Sequence, residues 1–406
     1  MTLQPDVSSV PDTALAATVL ELVNATSVSP DTEAGSAALT GLLTTHGFDV
    51  RTDDWGNVLG RMVFGPGPTV LYDAHVDTVE VGDPAGWRYD PRGEQVGDRI
   101  VGRGTVDTKG PLAAAIHAAD RLRDDPTVSG TLIVSGSVDE ELAEGPALGR
   151  ILDDVSPDVV VIGEPSGNVL HIGQRGRAEV VVEVIGVSSH SAFPTAGVNA
   201  VEVMADLLQA LRSMPFRADA NLGSGQLTLV SIRSAPYPSQ STVPSSCVAV
   251  FDRRTVVGET EEQVLDEVRS IVEPIARAND ARVEVSLARA RWRTWRGHDV
   301  DVPVFAPAWH QAADSWPVDQ VVAGLERRGL PSATSTWPFC THGSESAGHR
   351  RIPTIGYGPG DPSLAHTADE SISMTQLQRG VEGYHAIFTS LLHQDGAAGS
   401  SLPAPS

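Results

Sequence analysis

The sequence predicts an α/β protein that carries a second, self-contained module inserted into the first. Three observations support this. Short apolar runs alternate with helical patterns up to about residue 163, as in an α/β sheet. The texture changes near Arg175, where the order becomes β-α-β-β-α-β, the split-βαβ pattern. The α/β texture then returns, so one domain is begun over 1–176, interrupted by 177–293 and completed by 294–393. The inserted module, about 110 residues long, is of ordinary domain size. The Gly/Ala/Ser/Pro-rich segment 394–406 is expected to be a disordered tail.

The elements follow in order. Thr13–Asn24 reads as an amphipathic helix through Leu15, Val19, Leu20 and Leu22. A second helix runs from Glu33 to His46 and stops at Gly47. Strands are expected at 49–51, 58–64 and 69–74, then an Ala-rich helix at 112–122 and a buried strand at 131–138. A short helix at 148–153 and an apolar strand at 159–163 complete the first part. The inserted module reads as a long alternating strand 178–187, a helix 199–213, strands 225–231 and 246–252, a helix 259–279 and a strand 282–287. A helix around 318–328, a strand at 353–357 and a helix at 374–393 follow. No internal repeat stands out.

Bulk properties narrow the function. The 406 residues are 41% hydrophobic, enough for large cores. Net charge is −23, from 29 basic and 52 acidic residues. This argues against a nucleic acid partner and against an anionic membrane surface, both of which need basic patches. Only two cysteines occur, Cys247 and Cys340, with no C-x-x-C spacing, so a reducing cytoplasm fits. Met1 to Pro11 lacks a basic region followed by an apolar stretch, and no run of about 18 apolar residues appears. A cytoplasmic protein is therefore expected.

The chemistry gathers at strand ends. The run Val70–Ala74 ends in His75-Val76-Asp77, and alternate strand residues share a side. That is the arrangement of a metal-binding histidine whose second ring nitrogen is held by a carboxylate. Gly102-Arg103-Gly104-Thr105-Val106-Asp107 turns into the Ala-rich helix, with Asp107 near its N-terminus. Asp139-Glu140-Glu141 ends the strand at 131–138, Glu164-Pro165 ends the next, and His366 follows the strand at 353–357. Singly each has an ordinary reading: an N-cap for Asp107, a solvated acidic loop for 139–141, a capped loop residue for His366. Together, His75, Asp107, Glu141, Glu164 and His366 all lie where α/β sheets place ligands. Two imidazoles and three carboxylates suit zinc or a similar divalent ion. Three carboxylates and one hydroxide carry four negative charges, which two divalent cations balance. Glu140 is then the free carboxylate, able to move a proton between water and a leaving amine.

The ordered motifs HVDT, GRGTVDTKG, DEE, GEPS and AHTADE resemble the dinuclear zinc exopeptidase and amidohydrolase family, which includes aminoacylase, acetylornithine deacetylase, succinyl-diaminopimelate desuccinylase, dipeptidases and glutamate carboxypeptidase. The resemblance runs from about Val19 to His393. Asp83-Pro84-Ala85-Gly86-Trp87, Asp252-Arg253-Arg254 and Phe305–Trp309 look most like the branch linked to selenium-metabolism gene neighbourhoods. The resemblance implies a zinc-exopeptidase-like mixed sheet flanked by helices, with the inserted module as a lid and dimerisation domain. It implies two divalent ions, zinc first, with cobalt or manganese as alternatives. His75 and Glu164 would bind one ion, Glu141 and His366 the other, and Asp107 would bridge them through a residue followed by a cis peptide. Asp77 would orient His75, and Glu140 would be general base and acid. His190 would hold the carbonyl oxygen, often in the partner's site, and Arg254 a substrate carboxylate. The implied reaction is cleavage of the amide bond of an N-acyl amino acid or small peptide, by a homodimer. Amide formation or other C–N chemistry at the same site, and a non-catalytic binding protein, are the rival readings. Two departures stand out. Ser241 replaces the usual Asn of an N-x-x-P turn. The loop Cys340–Glu345 differs from the usual Gly-Thr/Ser-Asp form, which leaves His342 and Glu345 without a settled role.

Overall fold

In the computed structural model, residues 12–238 and 240–393 are described; the expected tail at 394–406 lies outside them. The strands that position the site are β1 (Asp49–Thr52), β2 (Val58–Val63), β3 (Thr69–His75), β4 (Thr131–Ser137), β5 (Val159–Ile162), β6 (Leu170–Gln174), β7 (Gly176–Ile185), β8 (Gln226–Ala235), β9 (Ser246–Thr255), β10 (Arg282–Leu287), β11 (Trp309–His310), β12 (Thr334–Trp337) and β13 (Thr354–Gly356). The helices are α1 (Asp12–Asn24), α2 (Glu33–Thr45), α3 (Lys109–Asp120), α4 (Pro146–Asp154), α5 (Ala200–Leu211), α6 (Glu261–Ala278), α7 (Val318–Arg327) and α8 (Met374–Leu391).

The larger sheet is mixed and flanked by helices, as the resemblance implies. Its order is β1-β2-β4-β3-β5-β13-β6-β11, with β12 also on β6. The centre, β4-β3-β5-β13, is parallel. Parallel strands covered on both faces read as continuous apolar runs, and β4 and β5 are buried throughout. Residues of α1, α2, α3, α7 and α8 share the largest core cluster with one face, while α4 and Trp337 pack on the other. Every residue of α3 but Asp120 is buried, which is why its sequence is Ala-rich and apolar all round.

A second sheet, β8-β9-β7-β10, has its own core against α5 and α6. All its pairings are antiparallel, and β7 and β9 alternate buried and half-buried residues. Helix α6 opens with a capping box between Thr260 and Gln263. At its edge, β8 exposes Leu229, Val230 and Ile232.

Sequence patterning misses several short strands, β11 and β12 among them, and two of the missed features bear on the site. Strand β6 is too short and too polar (Leu-His-Ile-Gly-Gln) to stand out as an apolar run. Strands Arg289–Arg293 and Asp299–Pro303 form a hairpin whose arginines read as solvated loop. Among the described residues no helix is long and apolar enough to cross a membrane.

Two buried histidines tie helix packing to acid stability. His117 of α3 lies with Nε2 2.9 Å from the Thr18 hydroxyl of α1. Burial, helped by repulsion from His46, pushes His117 down to about 4. Burial pushes His385 of α8 down to about 4 as well. A histidine depressed on folding binds its proton more tightly when unfolded. Its contribution is therefore complete above the unfolded value near 6.5 and is lost as pH falls from there toward 4. Denaturant midpoints are expected to fall steeply over that window, and His117→Gln should flatten the fall. An unchanged slope in the variant would show that His117 does not drive the loss.

Candidate metal centre

Every member of the predicted cluster but Asp107 stands at the C-terminal end of a parallel strand or in the loop that follows it; the strand before the Asp107 turn, Arg99–Val101, lies instead in a small antiparallel sheet. His75 ends β3, Glu140 and Glu141 follow β4, Glu164 follows β5, and His366 lies in the loop after β13. Asp107 sits in the turn before α3, where Gly102 (φ 155°) and Gly104 (φ 88°) adopt backbone that side chains resist. The Asp107–Thr108 peptide is cis, as the resemblance implies.

The structure brings all five together around the Asp107 carboxylate. Oδ1 of Asp107 lies 2.8 Å from His75 Nε2, which is also 3.7 Å from Glu164 Oε1. Oδ2 lies 3.2 Å from His366 Nε2, itself 3.1 Å from Glu141 Oε1. Asp107 thus stands between two histidine–carboxylate pairs, one facing each of its oxygens. Donor atoms of His75, Asp107 and Glu141 fall within 4.8 Å of one another, a set that could hold a metal ion.

The electrostatics fit cations. Burial pushes the Glu164 carboxyl well above the usual range, and repulsion from Asp107 adds to this. Burial likewise raises Glu140, with Glu164, Glu144 and Glu141 adding to it against the pull of His75. Hydrogen bonds to Asp107 and Glu141 pull His366 up to about 10. Protons on histidine here balance charge that bound cations would otherwise balance, and metal binding would release them.

The Nδ1 of His75 is 3.0 Å from the Asp77 carbonyl, so that nitrogen donates and Nε2 is left to face the cluster. The Asp77 carboxylate is farther, 3.5 Å through Oδ1. Its Oδ2 accepts the Ser29 hydroxyl and the Glu141 amide, the latter at 3.1 Å. Asp77 therefore also ties the loop after β4 to the His75 strand. Glu140 lines a cavity of about 460 Å³ over the cluster and accepts no hydrogen bond from any described residue.

Arg254 lines the same cavity, together with Arg177, Asp252 and Phe339. His190 does not; it is exposed on a loop of the second module, where its Nδ1 accepts the Ala192 amide. His342 is buried, with Nδ1 2.8 Å from Asp73 Oδ2. Glu345 pairs with Arg350 at 2.7 Å, in an adjoining cleft.

Sequence patterning passes over three supporting residues. Glu370, wholly buried, binds Arg103 and the amides leading into Asp107. Trp292, on the unpredicted hairpin, donates its indole N–H to Asp139 Oδ2 at 2.8 Å. Asp139 is buried, sits at φ 60° and precedes Glu140. Trp292→Phe keeps an aromatic side chain, smaller than the indole, but leaves that carboxylate without its donor. We expect kcat to fall about tenfold with KM nearly constant, since small misplacements of a reacting group are costly. Steady-state kinetics that match wild type would show that Trp292 does not hold this loop.

Most of the chain is similar to known proteins. The model of peptidase family M20/M25/M40 matches residues 71–390. A protein of Escherichia coli (strain K12) named uncharacterized protein YgeY is 35% identical over 349 residues, 84% of this chain and 85% of the relative. A succinyl-diaminopimelate desuccinylase of Dinoroseobacter shibae is 26% identical over 395 residues, 92% and 96% of the two chains. The crystal structure of Bacillus subtilis YXEP, described as a dinuclear metal binding peptidase, superposes with a TM-score of 0.70 at 13% identity over 94% of this chain and 98% of that one. On the extent of the family match and the identity to YgeY, this chain belongs to peptidase family M20/M25/M40 and is a metallohydrolase acting on amide bonds.

Proposed function

We propose that this protein cleaves the amide bond of an N-acyl amino acid or small peptide at a two-metal centre. The observation that carries the reading is the Asp107 carboxylate set between His75 with Glu164 and Glu141 with His366. Those pairs would each hold one ion, Asp107 would bridge, and Asp77 would keep His75 in its tautomer. Two divalent ions, zinc foremost and cobalt or manganese as substitutes, would supply carbonyl polarisation and a water of lowered pKa. Glu140 takes the water's proton on its carboxylate and hands it to the leaving nitrogen. Arg254 receives the substrate carboxylate, which suits a planar fork. The names of the desuccinylase and of the dinuclear peptidase above support an N-acyl or peptide substrate and a metal pair.

His190 steadies the carbonyl oxygen from a partner subunit. Its exposure away from its own cavity supports this, as does the exposed apolar β8, an edge strand paired only with β9 among the described residues and open on its other side to a second copy. The residues 41% to 58% exposed there are Leu229, Val230 and Ile232. Val230→Asp with Ile232→Lys is expected to give monomers by light scattering and to lower kcat together with dimer content. Full activity in a proven monomer would rule out a histidine shared between subunits. The buried unpaired cysteines, Cys247 and Cys340, suit a reducing cytoplasm.

A panel of N-acyl amino acids and dipeptides, assayed with added zinc, cobalt or manganese and with chelator, tests the reaction. Release of free amino acid that chelator abolishes is expected. Protein loaded with metal yet inert on the whole panel would overturn the reading.

A further inference from the structure

The Asp252-Arg253-Arg254 run shows why one strand can serve two purposes. Side chains alternate along β9. Arg253 is wholly buried on the helix side, where it pairs with Glu259. Asp252 and Arg254 point the other way and line the catalytic cavity. Across the strand pair, Arg254 is in register with Arg177 and Asp252 with Glu179. Like charges directly opposite one another are destabilising, so this face needs diagonal contacts to hold.

The diagonals run through Asp252. Arg177 Nε lies 3.3 Å from Asp252 Oδ2. Arg254 grips the same carboxylate twice, Nε at 2.7 Å from Oδ1 and Nη2 at 3.1 Å from Oδ2. Arg177 has further partners: Glu179 beside it, and Glu144 at 3.1 Å, four residues beyond Glu140 in the larger domain. Arg254 has no other carboxylate among the described residues. Its Nη1 donates no hydrogen bond there and is left for a ligand. Charges of alternating sign therefore run Glu144, Arg177, Asp252, Arg254, from the loop of the proton carrier across the junction of the two modules.

We propose that Asp252 is the positioning residue that aims the Arg254 fork, and that it thereby sets the preference for substrates with a free carboxylate next to the scissile amide. Asp252 acts by holding Arg254 against repulsion from Arg177. The inference rests on the reading of Arg254 as the carboxylate receiver.

The deciding measurement is a ratio. For the N-acetyl amino acid that wild type hydrolyses fastest, kcat/KM is measured for the free acid and for its primary carboxamide. In Asp252→Asn, the acid-to-carboxamide ratio is expected to fall about tenfold or more, chiefly through KM for the acid, because a charge-assisted bidentate grip is lost. A general loosening of the second module would slow both members alike and leave the ratio unchanged, and that result would overturn the proposal. Should wild type hydrolyse no N-acetyl amino acid, the acid and carboxamide of the N-acyl amino acid or dipeptide it does accept are compared instead; should it accept none, the reaction proposed above fails separately, and crystal structures of wild type and Asp252→Asn decide this inference. An Arg254 guanidinium displaced in the variant supports it, and one that stays in place overturns it.

Discussion

Glu140→Gln is expected to lower kcat by about 10²–10⁴-fold while metal content stays at the wild-type level. The amide is nearly the same size as the carboxylate, so the loop after β4 has no steric reason to move. What disappears is the ability to accept a proton from water and pass it to the leaving nitrogen. Nothing in the structure occupies Glu140 otherwise, since it lines the cavity, is 7% exposed and accepts no hydrogen bond from any described residue. Its neighbour Glu141 differs, lying 3.1 Å from His366. Glu141→Gln should therefore disturb metal retention, whereas Glu140→Gln should not. The pair is separated by measuring bound metal by elemental analysis beside the kinetics of each variant. If Glu140→Gln kept wild-type turnover on every accepted substrate, the proton role would belong to another group. If it lost metal as readily as Glu141→Gln, Glu140 would be a ligand instead.

These two adjacent residues mark what is legible in the sequence. Glu141, Glu164, His75 and His366 can be gathered because each ends or follows an apolar run, and a parallel sheet sends such ends to one edge, whereas Asp107 arrives from a glycine-rich turn after a small antiparallel sheet. The pairing across Asp107 needs the resemblance, since spacing along the chain says nothing about which oxygen faces which ring. Supports formed by residues far apart leave no local trace. Trp292 and Asp139 are separated by 153 positions, and the tryptophan sits in a run of arginines that reads as solvated loop. His342 is ambiguous for the same reason: its Asp73 partner lies 269 positions away, inside what looks like a purely apolar strand. The role of Asp252 is hidden differently. Its motif is visible, but the direction in which Arg254 is held depends on the register of β9 against β7.

The largest stability loss is expected from Glu370→Ala, at the foot of the Asp107 turn. Glu370 is completely buried, and its Oε2 lies 2.6 Å from Arg103 Nη1. Oε1 accepts the Val106 amide at 2.8 Å and the Asp107 amide at 3.3 Å. The Arg103 guanidinium, 5.3 Å from the Trp87 ring centroid, is shielded from water on its other side. Alanine here strands a buried cation and two buried N–H groups. Breaking a buried pair from one side costs about 3–5 kcal/mol, a large part of a typical domain's stability. The same loss frees the backbone that aims Asp107, so metal affinity should fall about 10–100-fold, as when supporting partners of ligands are removed. Glu370→Gln keeps an acceptor for the amides and should retain more of both properties. Replacing both partners, Glu370→Leu with Arg103→Met, should recover stability relative to Glu370→Ala, since no charge is left buried alone, yet should not restore metal affinity, because the amides of Val106 and Asp107 remain without their acceptor. Urea unfolding and chelator competition on the three variants separate the two effects. A Glu370→Ala protein within about 1 kcal/mol of wild type would mean that water reaches Arg103 and that the buried pair does not hold this turn.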